Sequence, residues 1–295
     1  MRMIDLRNLL VCPVCHVDLQ FDDSGEGAVG CSRCGRNYRS DRDVFNMTPL
    51  PLPNGVVKSK WKLWEQLQDN GSLSYSKAPE FNLSIGSRAD AQAFKAFAQA
   101  SGLVLDIGCG PQTRPSYLPD NGEIVGIDPL LGQQPREFSF VQGIGEFLPF
   151  RDSTFDHILY ASSLDHVMEP KRSLAEAVRC LRPSGYINLW IDGIASDAPP
   201  EIQSRLKRHR VVIEKGLKSL SRHDWLTKMG LFRTVSYMAS VATMKVPQGA
   251  ADYFHFAHLN SDTVSSWLKD LDLRTIRESE HPKFDSLFIQ VGKRR

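Results

Sequence analysis

Two residue sets in this chain have the types and spacing to do chemistry. The first is Cys12-Pro-Val-Cys15 and, fifteen residues on, Cys31-Ser-Arg-Cys34. Two C-x2-C pairs can place four thiolates tetrahedrally around zinc. Four cysteines complete the shell and leave no open position, so the expected role of the ion is structural. Gly35 after the second pair suits the tight turn of a knuckle, and Gly25, Gly27 and Gly30 loosen the hairpin between the pairs. Cys109 and Cys180 stand alone and read as reduced and buried.

The second set is Asp106, Gly108 and Gly110, followed by Asp128. The apolar run Leu103-Val-Leu breaks into Asp106-Ile-Gly-Cys-Gly110, the way a buried parallel strand ends in a turn that a ligand can approach. Asp128 closes the next apolar run, where a carboxylate can accept hydrogen bonds from both hydroxyls of a ribose. The interval from Asp106 to Asp128 fits one βαβ unit. A helix-opening Gly-x-Gly-x-x-Gly, the mark of a nicotinamide site, is missing, because Pro111 and Pro115 interrupt that region.

These residues need a sheet to hold them. Strands are expected at 103–107, 123–127, 138–141, 155–161 and 185–191, separated by turn signals or helical stretches, which predicts a parallel sheet with crossover helices. A helix over 170–181 opens at Pro170 and stops at Arg182-Pro183-Ser184-Gly185. A helix over 261–271 precedes two strands, 273–279 and 285–292, that can pair as a hairpin. Upstream, Ser87 caps a helix running to Ala100, and Trp61, Leu63, Trp64 and Leu67 mark a short amphipathic helix packed on the main domain. Tyr75, Phe81 and Asn82 fall in a stretch read as irregular. Pro49, Pro51 and Pro53 make 47–54 an extended tether and the domain boundary. The organisation expected is a zinc-binding segment at 1–48, a tether and helical extension at 49–100, and the main domain at 101–295 with an insert at about 192–260.

With 36 basic and 34 acidic residues the net charge is +2, which argues against a polyanion binder acting over the whole surface. No apolar run is long enough to cross a bilayer, and Met1-Arg2-Met3-Ile4-Asp5 does not open a leader, so the expectation is a cytoplasmic protein. Charge is nevertheless uneven. Between Glu201 and Lys245 ten basic residues face three acids, about +7. Such a run reads either as a solvated helix face or as an attractor for phosphate on RNA or on a nucleotide- or lipid-linked sugar.

Val104-Leu-Asp-Ile-Gly-Cys-Gly110, Val125-Gly-Ile-Asp128, Gly145-Glu-Phe-Leu-Pro-Phe150, Ser153-Thr-Phe-Asp156 and Leu181-Arg-Pro-Ser-Gly185 resemble the ordered motifs of class I S-adenosylmethionine-dependent methyltransferases. The resemblance implies an α/β fold: a Rossmann-like seven-stranded sheet with helices on both faces. It places S-adenosylmethionine against Asp106, Gly108, Cys109 and Gly110, the ribose on Asp128 beside Pro129, the adenine along Gly145 and Glu146, and Ser162 near the methyl. Two positions depart from the pattern: Gln112 replaces a frequent third glycine, and Ile144 replaces an acid that often receives the adenine amino group. Over roughly residues 6 to 48, Leu10-Val-Cys-Pro-Val-Cys15, Cys34-Gly-Arg-Asn-Tyr38 and Asp41-Arg-Asp-Val44 resemble the small zinc-ribbon family that partners or precedes methyltransferases acting on translation components. Members of that family dock and activate.

In this fold the end of the fourth strand, Ser162 to His166, faces the methyl group. His166 is the expected general base, with Asp165 orienting it or the acceptor. Asp252-Tyr-Phe-His-Phe-Ala-His258 is a second acceptor wall. Its His255 and His258 are three apart, but the sequence shows no third ligand near them. Together these features predict methylation of a hydroxyl on a small-molecule or glycan-like acceptor. Two alternatives stand beside it: an RNA base methyltransferase gripping RNA through the ribbon and the basic insert, and a non-catalytic module that keeps the fold.

Overall fold

A computed structural model describes residues 4–22, 28–41, 44–77, 89–192, 244–282 and 285–294. Most of the basic insert, together with Phe81, Asn82 and the Ser87 cap, lies outside them. Seven strands form the main sheet: β5 (Leu103–Ile107), β6 (Glu123–Asp128), β7 (Ser139–Gln142), β8 (Phe155–Ala161), β9 (Leu181–Asp192), β10 (Leu273–His281) and β11 (Ser286–Lys293). They run in the order β7-β6-β5-β8-β9-β11-β10, parallel except that β11 is antiparallel to both β9 and β10. The order reverses at β5, so the ends of β5 and β8 part and leave a crevice.

Alternation along β5 divides the interior. Leu105 and Ile107 join the core that contains Leu174 and Ala177 of α3 (Pro170–Cys180) and Val264 and Leu268 of α4 (Ser261–Asp270). Val104 faces the opposite core, where Phe94 of α2 (Ala89–Ala98) meets Tyr117, Trp190 and Phe288. Helices therefore cover both faces.

Three details differ from the pattern read along the chain. Residues 108–122 and 129–138 connect their strands through turns and not through helices, because Pro111, Pro115, Pro119, Pro129 and Pro135 withhold backbone donors and crowd the preceding turn. β9 begins at Leu181, four residues early. Leu181 pairs with Phe155, and the Pro-Ser-Gly stretch is accommodated by a register shift before Tyr186. The helix expected to be short is α1 (Lys58–Lys77), twenty residues long, and it includes Tyr75.

The N-terminal segment is no loose appendage. Its strands β1 (Gln20–Phe21), β2 (Ala28–Gly30), β3 (Asn37–Asp41) and β4 (Val44–Asn46) continue the sheet, with β4 parallel to β7 through Phe45↔Val141 and Asn46↔Gln142. Leu10 bridges Phe150, and Leu10, Val29, Tyr38 and Met47 belong to the same apolar core as Leu105 and Ile158. The tether is seated as well. Met47 is fully buried and its N–H donates to the Gln142 carbonyl.

Candidate functional site

Beyond the carboxyl ends of β5, β6 and β8 lies a cavity of about 350 Å³, roofed by α1 through Trp64, Leu67, Gly71 and Tyr75. Its floor is the turn after β5. Gly108 and Gly110 both have left-handed backbone, φ 76° and 68°, which glycine adopts without strain. A Cβ on Gly108 would come within 2.5 Å of the Ser163 Cβ, and Ser163 ties the two strand ends together by donating to the Ile107 carbonyl at 2.6 Å.

Asp128 shapes the next wall. Its Oδ2 accepts the Gly110 N–H at 2.8 Å and its Oδ1 accepts the Leu130 N–H at 2.8 Å, leaving lone pairs on both oxygens toward the cavity. Burial raises its pKa, and these two N–H groups with the nearby Arg136 oppose the shift. Arg136 was not visible as a site residue in the sequence. It lies over the Phe140 ring and donates to the carbonyls of Gly110 and Leu130, fixing the two turns relative to each other.

The far wall is Gly143, Ile144, Gly145 and Glu146. Glu146 is buried; its Oε1 accepts the N–H groups of Met168 and Glu169, and its Oε2 has no hydrogen-bond partner. Gln112, also on the cavity wall, has a second buried oxygen, Oε1, without a hydrogen-bond partner. Ile144 packs with Trp61, Trp64, Phe147 and Met168 into an apolar slab, a surface suited to the face of a flat ring. A nucleoside-bearing ligand fits these features: a carboxylate for a ribose, an apolar slab for a base, and two buried acceptors awaiting donors.

Of the candidate residues, Gly108, Gly110, Asp128, Pro129, Gly145, Glu146, Ser162 and His166 lie on the cavity wall. Asp106 and Cys109 do not. Alternation turns Asp106 to the α2 side of the sheet, where it is fully buried and its Oδ2 accepts the Tyr117 hydroxyl at 2.9 Å. That burial pushes its pKa up to about 7, and Asp128 adds to the rise. Tyr117, which lines the cavity, stands where Asp106 was expected. Cys109 points between the two glycines into the core against Gly126 and Phe138, and burial holds its thiol well above the usual range.

At the acceptor end Ser162 has φ 54° and donates to Asp192 at 2.6 Å. His166 Nδ1 lies 2.9 Å from the Phe254 carbonyl, which can only accept, so Nδ1 carries the proton and Nε2 the lone pair. Burial lowers its pKa and keeps the ring neutral at pH 7. Asp165 sits beside the wall, its Oδ1 3.9 Å from His166 Nε2. His255, tilted over His166 with ring centroids 4.5 Å apart, completes the cluster from the 252–258 segment, which is clamped by the Phe256 N–H donating to the Asp165 carbonyl.

The four N-terminal cysteines converge separately. Cys12 and Cys34 sulfurs are 3.7 Å apart, Cys15 and Cys31 3.3 Å, and all four lie within 4.8 Å of one another. Tetrahedral zinc with bonds of about 2.3 Å sets sulfurs roughly 3.8 Å apart, so the cluster fits that ion.

Residues 105–189 match the family described as methyltransferase domain. An uncharacterised methyltransferase of Schizosaccharomyces pombe is 30% identical over 112 residues, 31% of this chain and 40% of that one. A demethylmenaquinone methyltransferase of Renibacterium salmoninarum is 34% identical over 91 residues, 28% of this chain and 38% of that one. The chain thus spans about two fifths of the length of these relatives. Among solved structures, the 1,6-didemethyltoxoflavin-N1-methyltransferase of Burkholderia thailandensis, bound to 1,6-didemethyltoxoflavin and S-adenosylhomocysteine, superposes with a TM-score of 0.50 at 14% identity, covering 94% of this chain and 99% of that one. Residues 105–189 are therefore similar to a methyltransferase domain, and the chain has the α/β methyltransferase fold.

Proposed function

We propose that this protein, which has the α/β methyltransferase fold, transfers the methyl group of S-adenosylmethionine to a hydroxyl of a small-molecule or glycan-like acceptor. The observation that carries the reading is Asp128: a buried carboxylate at the end of β6, steadied by two backbone N–H groups and opening onto a cavity floored by Gly108 and Gly110. The named relatives and the bound S-adenosylhomocysteine of the Burkholderia enzyme support the same donor.

Asp128 would hold the ribose, the Ile144 slab and Glu146 the adenine, and the Gly108–Gly110 turn the amino-acid part of the donor. The sulfonium supplies an electrophilic methyl carbon. What remains for the chain is alignment of the acceptor oxygen at about 3 Å, exclusion of water, and removal of the hydroxyl proton. Trp64 and Tyr75 of α1 supply the exclusion. Proton removal falls to the cluster of Asp165, His166 and His255, which borders the cavity at its acceptor end. The roof and the 252–258 segment both line this cavity of about 350 Å³, a size that suits a small acceptor or a single sugar. The cysteine cluster would hold one structural zinc.

Calorimetric titration with S-adenosylmethionine and S-adenosylhomocysteine tests the donor, and transfer of labelled methyl to a panel of sugars, hydroxylated metabolites and total RNA tests the acceptor. Absence of binding by either nucleoside removes the reading. Label entering RNA alone moves the acceptor to nucleic acid.

A further inference from the structure

Beside the glycine turn a buried side chain keeps an acceptor that no described residue satisfies. Gln112 follows Gly110 by two positions, lines the cavity and is 8% exposed. Its Oε1 has no hydrogen-bond partner among the described residues. A Cβ built on Gly110 would stand 3.6 Å from Gln112 Nε2 and 3.4 Å from the Tyr75 hydroxyl, so the amide and the α1 roof meet around that bare backbone. Position singles out the part of a donor that lies there. With the ribose on Asp128 and the base along the wall from Gly143 to Glu146, the amino-acid tail of S-adenosylmethionine remains for the turn that Gly110 and Gln112 form. That tail ends in an ammonium, which only donates hydrogen bonds, and a carboxylate, which only accepts them. An amide oxygen can pair with the first alone. The Asp128 carboxylate, 2.8 Å from the Gly110 nitrogen, adds a negative field that draws a cation to the same turn. An acceptor buried this deeply is costly to leave unpaired, and the ammonium removes that cost.

We propose that Gln112 is a donor-specificity residue whose Oε1 accepts the α-ammonium of S-adenosylmethionine and of S-adenosylhomocysteine. The pocket thereby distinguishes these nucleosides from ones that lack the amine. The inference rests on the methyl-transfer reading of the pocket and deepens it. Glycine, frequent at this position in chains of similar motif, has no side chain to offer, so the pairing belongs to this chain's own departure from the pattern. It also gives the buried amide a purpose that space filling does not, since leucine would fill the same volume without an unpaired oxygen.

Calorimetry on the full chain with three nucleosides tests this. They are S-adenosylhomocysteine, its deaminated analogue S-adenosyl-4-thiobutyrate, and 5′-methylthioadenosine, which lacks both the amine and the carboxylate. The unaltered protein should bind the deaminated analogue roughly tenfold or more weakly than S-adenosylhomocysteine. In Gln112→Leu, affinity for S-adenosylhomocysteine should fall by about the same factor, affinity for 5′-methylthioadenosine should stay within about twofold, and the gap between the first two ligands should close to about threefold or less. Gln112→Glu keeps the length and adds a charge, so the gap should widen. Equal affinity for S-adenosylhomocysteine and its deaminated analogue in the unaltered protein overturns the inference without any variant. So does an equal loss of S-adenosylhomocysteine and 5′-methylthioadenosine in Gln112→Leu, which is the signature of a packing role. Should Gln112→Leu not fold, a gap that fails to widen in Gln112→Glu overturns it. The two readings fail separately: a protein that binds none of the three nucleosides removes the methyl-transfer reading, whereas binding without preference for the amine removes only the role of Gln112.

Discussion

At the scale of single residues, two buried aspartates one strand apart do different work. Asp128 opens to the cavity and Asp106 does not, so their substitutions should separate. Asp128→Ala removes a charged acceptor worth about 1.5–3 kcal/mol when hydrogen-bonded, and should weaken S-adenosylmethionine binding roughly 10- to 100-fold by calorimetry. Asp106→Asn keeps an oxygen that can accept the Tyr117 hydroxyl, and donor affinity should stay within a few-fold of the original. Asp106 should instead show itself in stability. Its folded pKa of about 7 lies above the ordinary carboxylate value, so the folded chain binds a proton the unfolded chain has released. The stability this group contributes should therefore fall as pH rises from about 4 to 7 and level off above that, and Asp106→Asn should flatten that slope in urea unfolding. An equally steep slope in the variant would show that Asp106 is not its source.

At the scale of elements, α1 is the piece whose role changed most. Trp61 and Trp64 bury against Ile144, Phe147 and Met168, while the same helix carries Tyr75 over the Gly108–Gly110 turn. Roof and packing are thus one element. Trp64→Ala removes a buried aromatic and should cost about 3–5 kcal/mol in denaturant unfolding, together with a loss of donor affinity that a surface substitution such as Lys62→Ala does not cause. Retention of full donor affinity in Trp64→Ala would separate the roof from the site. The hairpin β10–β11 and the helices α3 and α4 were readable along the chain because their patterning, caps and stops are local. The length of α1 was not. Its polar face exceeds its apolar one, and its continuation through Gly71 to Lys77 depends on packing against the pocket, which no local pattern reports.

At the scale of the whole molecule, the cysteine segment shares one eleven-stranded sheet and one apolar core with the rest of the described chain. The contact is reinforced by Arg151 on Asp18 at 2.6 Å and by His16 on Glu176 at 3.4 Å. The proposed zinc would add to the folding energy of a segment this small, so its removal should loosen strands that pair directly with β7. A chelator or Cys31→Ser should then lower a single calorimetric transition of the entire chain. Two transitions, with only the smaller one sensitive to the chelator, would show that the segment folds as an independent unit. None of the described helices is long and apolar enough to cross a membrane.

The sequence by itself determined what depends on short range. The C-x2-C pairs converge because two residues make a knuckle, and the strand-ending glycines with Asp128 mark a turn and an acid one βαβ unit apart. The closing hairpin follows from alternation and turn chemistry. The tertiary structure decided what depends on which face a residue takes and on which distant segments meet. Alternation in β5 sent Asp106 away from the cavity and brought Tyr117 to it. The last strand of the cysteine segment, β4, found the β7 edge, and Asp252 came to hold His255 opposite Asp165 and His166. Sequence spacing records neighbours along the chain, whereas a binding site is made by neighbours across it. Eighty-nine positions separate His166 from His255, and only the packed sheet brings their nitrogens to one carboxylate.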